Sequence, residues 1–271
     1  MSKIAVCYFS YWKDIPFLDK SLRLLENTIA RHPEHEVQVF VFDDARCEKH
    51  IELKDLKDHK CQLFRTDFDR QGNLNGYECI NGMFKIYLYV LQQKFPFDYV
   101  IKLDSDCVLN SFDYIYATEE EMKRRNVPLD TLGEFGSYFA SICINGCCQT
   151  FGRAGVYVIN NLFNLMNNPQ NDETKVLRRR VELGYNEDKV VSVLMEMSPA
   201  YKFNIDELPN IKGNCNTFSV PEDTDYTEYT SVAFKPNVFA DTVGWSREKC
   251  LDMMEKHVTK MCELGDNSIE K

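Results

Sequence analysis

The stretch YVIKLDSDCVL, residues 99–109, decides how the rest of the chain is read. Tyr99-Val100-Ile101-Lys102-Leu103 is a short run rich in β-branched and aromatic residues, and it stops abruptly at Asp104-Ser105-Asp106. A run of that length and composition suits a strand buried on both faces of a parallel sheet. In open α/β sheets the ligand crevice lies beyond the carboxyl ends of the strands. Residues two apart on extended backbone share a face, so Asp104 and Asp106 converge at that end. Two converging carboxylates repel unless positive charge lies between them. A hard divalent cation supplies it and can hold phosphate oxygens at the same time. A pair of acids in a solvated turn is the plainer alternative.

Reading outward toward the amino terminus, residues 3–10 (KIAVCYFS) form a buried strand. A helix follows from about Pro16 to Arg31, with Asp14 as its cap and Leu18, Leu22, Leu25 and Ile29 on one buried face. Residues 36–42 (EVQVFVF) are the next strand and run into Asp43-Asp44. This strand–helix–strand opening has the size of one βαβ unit, whose right-handed crossover makes the sheet parallel. Residues 46–60 read as a polar loop or short helix, 62–65 as a third strand, 67–76 as a turn-rich loop, and 76–93 as a helix broken near Pro96.

Toward the carboxyl terminus, residues 117–126 read as a helix and 127–152 as loop. Residues 155–159 (GVYVI) read as a strand, and 172–183 as a helix stopped by Gly184. Asn186 caps a helix that buries Val190, Val193, Leu194 and Met197. Short strands and turns fill 200–240, a helix covers 247–258, and 263–271 is a polar tail. No repeat or flexible linker interrupts the pattern, so one α/β domain spanning 1–271 is expected.

Composition bounds the function. A chain of 271 residues buries about 75% of its unfolded surface and needs no disulfide or metal staple. With 42 acidic against 32 basic residues the net charge is −10, which argues against a nucleic-acid binder. No apolar run approaches the ~20 residues of a membrane span. Eleven cysteines with no secretory leader point to a reducing, cytoplasmic setting. Cys143, Cys147 and Cys148 lack histidines at zinc-ligand spacing and read as small buried thiols.

This layout resembles the GT-A nucleotide-sugar glycosyltransferases. The residues carrying the likeness are Ser10-Tyr11 after the first strand, Asp43-Asp44 after the second, Asp104-Ser105-Asp106, and Glu187-Asp188 beyond the GVYVIN segment. The resemblance implies a Rossmann-like, mostly parallel sheet flanked by helices. Its nucleotide-binding half would be about 1–110, and a loop-rich acceptor-binding half about 111–260. It also implies a metal-dependent transfer of sugar from a nucleotide-diphosphate sugar to a glycan or lipid-linked acceptor, with inversion slightly favoured. Peripheral association with a membrane is compatible with such an acceptor, although the acidic balance offers no polybasic anchor.

Roles follow from the same resemblance. Ser10 and Tyr11 would flank the nucleoside, and Asp43 or Asp44 would accept hydrogen bonds from base or ribose. Asn81 and Lys85 lie where the family often faces donor sugar or phosphate; for Lys85 a snorkelling surface lysine is the rival. In the Asp104-Ser105-Asp106 turn, Asp104 would contact ribose or metal and Asp106 the metal, which is Mn²⁺ or Mg²⁺. Asp188, or else Glu187, would be the base that takes the acceptor's proton. Against this, acids in a helix's first turn stabilise the helix dipole, which also lowers their pKa. Arg153 would bind a sugar hydroxyl or phosphate, with Gly152 and Gly155 letting sugar approach the backbone. Trp12 and Trp245 would be stacking platforms, with core packing as the rival. A further metal ligand from the carboxyl-terminal region has poor candidates in His257, which reads as surface helix, and Asp241.

Two other functions compete. Asp104-Ser105-Asp106-Cys107-Val108 also resembles the signature of haloacid-dehalogenase-like phosphatases, in which the first aspartate attacks phosphate. That family places the motif on its first strand, whereas several elements precede it here. The other rival is an inactive glycosyltransferase-like binding protein.

Overall fold

The computed structural model describes residues 2–67, 77–93, 96–139, 143–166, 172, 175, 179, 187–235 and 245–269. The opening unit forms as its periodicity predicts. Strand β1 (Lys3–Ser10) is followed by helix α1 (Ile15–Arg31), with Pro16 in its first turn, and by β2 (Glu36–Asp44). Strand β3 (Gln62–Thr66), helix α2 (Tyr77–Leu91) and strand β4 (Tyr99–Leu103) complete the first half. Then come β5 (Cys107–Leu109), α3 (Asp113–Arg124), β6 (Leu132–Gly136), β7 (Tyr138–Phe139), β8 (Cys143–Ile144) and β9 (Cys148–Gly152). Helix α4 (Arg153–Met166), helix α5 (Glu187–Glu196), β10 (Tyr201–Asn204), β11 (Lys212–Asn216), β12 (Tyr229–Ala233) and α6 (Arg247–Ile269) follow.

The main sheet has the order β10-β6-β9-β4-β1-β2-β3. Strand β9 alone runs against its neighbours β4 and β6; the remaining pairs are parallel. Strand alternation sorts the core into two layers. Ala5, Cys7, Phe40, Val100 and Phe151 face α2, α4 and α5. Ile4, Val6, Val39, Ile101 and Phe135 face α1 and α3. A third core lies between α1, α6 and a small sheet of order β11-β12-β5.

Three sequence readings are corrected. Residues 155–159 are helical, inside α4. A short apolar run does not distinguish strand from buried helix, and here tertiary packing decides. Residues 127–152 are not mainly loop; they hold β6 and β9, and β9 lies inside the sheet between β6 and β4. The last helix does not stop near 258 but reaches Ile269, because Met254, Val258 and Met261 bury a stripe against the third core. Most of the helix read over 172–183, and Asn186, lie outside the described residues.

Candidate active site

The fold brings the carboxyl ends of β1, β2 and β4 side by side. In β1–β2 register Ser10 faces Asp43, and in β1–β4 register Tyr8 faces Leu103, one residue before Asp104. The Ser105 and Ser10 hydroxyls are hydrogen-bonded at 2.8 Å, tying the acidic turn to the end of β1. Three backbone bonds fix the turn itself: Asp104 N–H to the Cys147 carbonyl (2.9 Å), Cys107 N–H to the Asp104 carbonyl (3.0 Å), and Phe234 N–H to the Asp106 carbonyl (2.7 Å).

Lys102 organises what lies beneath. Alternation along β4 turns it toward the face covered by α5, in register with Cys7 on one side and Gln149 on the other. Its ammonium lies 2.6 Å from Asp104 Oδ1 and 2.9 Å from Glu187 Oε1, and it donates to the Gly146 carbonyl. Burial works against the charge, but Asp104 and Glu187 outweigh it and hold the Lys102 pKa above the ordinary lysine range. The second oxygen of Asp104, Oδ2, meets Lys235 Nζ at 3.0 Å, from the segment just past β12.

Glu187 and Asp188 form the first turn of α5. The helix dipole is expected to depress an acid there, yet burial, reinforced by Glu187, pushes the Asp188 pKa up to about 7. Asp188 Oδ1 is buried and has no hydrogen-bond partner in the structure. Gly146 makes the room: a Cβ there would lie 1.8 Å from Asp188 Oδ1. Asp188 therefore combines an unpaired oxygen with an affinity for protons near neutrality, which is what a general base needs. On the same sheet face, Glu134 is fully buried, neither of its carboxylate oxygens has a partner, and burial raises its pKa to about 8.

The donor set suits a hard cation. Asp104, Glu187 and Asp188 lie within electrostatic reach of Lys102, and Asp104 and Asp106 within reach of Lys235, so four carboxylates surround two ammonium groups. Among the described residues no three His, Cys, Asp or Glu side chains converge as a ready-made cluster. A hard cation held by only two carboxylates completes its coordination with water and ligand phosphate oxygens. His257 is not a surface residue. It is buried against the rings of Tyr226 and Phe234 with its Nε2 2.9 Å from Asn110 Oδ1. Asp241 lies outside the described residues.

The other expected residues divide. Asp43 is buried at the end of β2, with Oδ2 2.8 Å from His50 Nδ1 and 3.4 Å from Arg65 Nε, and with Oδ1 unpartnered. Asp44 is buried and accepts the Arg46 N–H. Tyr11 is half-buried directly after Ser10, and Asn81 is buried on α2. Lys85 is exposed on α2. Trp12 is half-buried with Lys49 Nζ 4.7 Å from its ring centre, and Trp245 holds Lys249 Nζ at 4.6 Å.

Arg153 is placed apart from the cluster. Its N–H bonds the Asp98 carbonyl and its guanidinium the Phe97 carbonyl, at the amino end of β4. It lines a cavity of about 540 Å³ with Ser2, Tyr99, Glu119 and Tyr157. That cavity sits at the opposite strand end from the one where α/β sheets bind ligands. Gly152 and Gly155 serve packing: added Cβ atoms would lie 2.0 Å from the Leu132 carbonyl oxygen and 1.9 Å from that of Gly133. Sequence reasoning missed Lys102, Glu134 and Lys235. A lysine inside the apolar run YVIKL and a glutamate inside LGEFG were visible signals of buried charge. Nothing local marks Lys235.

Neither protein-family models nor curated protein sequences match the chain. Solved structures do. The galactosyltransferase LgtC, in complex with donor and acceptor sugar analogues, superposes over 96% of this chain and 95% of its own, with TM-score 0.55 and 10% identity. A glycosyltransferase involved in glycosylation of the major capsid of PBCV-1 superposes over 93% and 98%, with TM-score 0.52 and 13% identity. The chain has a GT-A-like glycosyltransferase fold. The likeness spans both halves, and its low identity restricts it to architecture. No helix among the described residues is long and apolar enough to cross a membrane.

Proposed function

We propose that the chain is a glycosyltransferase that moves a sugar from a nucleotide-diphosphate sugar to a hydroxyl of a glycan or lipid-linked acceptor, with inversion. The observation that carries this reading is Asp188: a buried carboxylate with an unpaired oxygen, a pKa near 7, and a place beside the acidic turn. In this reading Ser10, Tyr11 and Asp43 receive the nucleoside, with Asp44 and Asn81 lining the approach. Lys102 fixes Asp104 and Glu187 so that the turn keeps one geometry. Asp188 accepts the proton of the acceptor hydroxyl as the new glycosidic bond forms, a step worth about 10²–10⁴-fold. Mn²⁺ or Mg²⁺ held by Asp104 and Asp106 would supply positive charge for the leaving diphosphate.

The test is turnover. Wild-type protein is incubated with a panel of uridine, guanosine and cytidine nucleotide sugars and Mn²⁺, and release of nucleotide is followed by mass spectrometry. The reading expects slow hydrolysis of one donor, and loss of about 10²-fold or more in Asp188→Asn with the melting temperature preserved. Hydrolysis of a generic phosphomonoester instead, or an Asp188→Asn variant as active as wild type, overturns it.

A further inference from the structure

This inference rests on the reading of Asp104 and Asp106 as the donor's cation site. Asp104 holds two lysines, and they are held differently. Lys102 is 3% exposed. Asp104, Glu187 and the Gly146 carbonyl use all three of its N–H donors, so it is locked. Lys235 reaches Asp104 Oδ2 at 3.0 Å with 27% of its side chain open to solvent. Its backbone is anchored beside the turn by the Phe234–Asp106 hydrogen bond, its ammonium also lies within electrostatic reach of Asp106 and Cys147, and its four-carbon stem has rotatable bonds through which the ammonium can move.

One carboxylate oxygen cannot serve an ammonium and a dication at full strength together. We propose that Lys235 is an exchangeable counter-ion: it occupies Asp104 Oδ2 in the donor-free protein, keeps a divalent cation off that oxygen, and transfers to the donor's diphosphate on binding. A diphosphate carries more negative charge than a carboxylate and offers more acceptor oxygens, so it competes well for the ammonium. The exchange releases Asp104 Oδ2 from Lys235 when phosphate oxygens arrive to complete a cation's coordination. Cation and nucleotide then bind synergistically, each raising the other's affinity by the same factor.

Binding of Mn²⁺ alone, followed by the electron paramagnetic resonance of the free ion, tests the exchange without turnover. Lys235→Met is expected to bind Mn²⁺ about tenfold or more tightly than wild type, whereas Lys235→Arg, which keeps the charge, stays as weak as wild type. Adding UDP, GDP, CDP or ADP in turn is expected to tighten Mn²⁺ binding by wild type about tenfold with the matching nucleotide, and to tighten it by a smaller factor in Lys235→Met, where phosphate oxygens still coordinate the ion but no ammonium is displaced. Melting temperatures confirm that each variant is folded. Equal Mn²⁺ affinity in wild type and Lys235→Met, or no Mn²⁺ binding by either, overturns the proposal. A gain in Lys235→Met with no response to any nucleotide supports the displacement at Asp104 and counts against the transferase reading instead.

Discussion

Removing the Lys102 ammonium is the perturbation whose consequence the structure fixes most tightly. Lys102→Met keeps an unbranched apolar stem and deletes the terminal ammonium with its charge and three donors. Asp104 Oδ1, Glu187 Oε1 and the Gly146 carbonyl each lose a partner in a site that is 3% exposed at Lys102 itself. Breaking a buried ion pair by removing one member costs about 3–5 kcal/mol. Asp104 keeps Lys235, and the Asp104 and Glu187 side chains are 11% and 16% exposed, so water relieves part of the loss. The lower end, about 3 kcal/mol, is expected, which for a chain of this size is a fall of about 6–12 °C in melting temperature. Urea unfolding gives the free energy directly. Glu187→Gln on the Lys102→Met background removes the stranded charge, so the double variant is expected to be at least ~1 kcal/mol more stable than the sum of the single losses. A Lys102→Met variant within about 0.5 kcal/mol of wild type, or strictly additive losses, refutes the claim that Lys102 holds the turn and α5 together.

Three further outcomes follow from buried groups. His257 is held neutral by burial, with its pKa pushed down to about 4, so its stabilisation is present above pH 6.5 and fades as pH falls toward 4. A loss of about 2–3 kcal/mol across that window, flattened in His257→Gln, is expected from urea titrations at each pH. Glu134 has the opposite sign: its raised pKa, about 8, makes the folded state lose stability as pH rises from about 4.5 to 8. Glu134→Gln removes that loss and should exceed wild type by about 3 kcal/mol or more at pH 8, a gap that calorimetric melting at pH 5 and 8 measures. Gly146→Ala forces a methyl onto the Asp188 carboxylate, whose Oδ1 and Cγ lie 1.8 and 2.5 Å from the Cβ position. A cost of about 1–3 kcal/mol is expected, together with loss of donor turnover.

The strands, their parallel opening and the position of the acidic turn were legible because they depend on local period and on where apolar runs end. Tyr99–Leu103 announces a buried strand by composition, and Asp104 announces its carboxyl end. What could not be read depends on contacts distant in sequence. Residues 155–159 have the composition of a strand, and become helix because Gly155 lets α4 close onto Gly133 of β6. The Asp188 pKa depends on burial beneath the Gly146 turn, which outweighs the dipole that sequence position alone reveals. Lys235 meets Asp104 across 131 residues, through a strand pairing that sequence periodicity does not specify. Arg153 follows β9 directly, and only the antiparallel direction of that strand carries it to the end of the sheet opposite Asp104.

Calorimetric titration of nucleotide sugars, in the presence of Mn²⁺, into wild type and Asp106→Ala addresses the donor site most directly. The account predicts that one nucleotide sugar binds wild type and that Asp106→Ala, still folded by its melting curve, binds it about a hundredfold more weakly or not at all. Undiminished affinity in Asp106→Ala would contradict it.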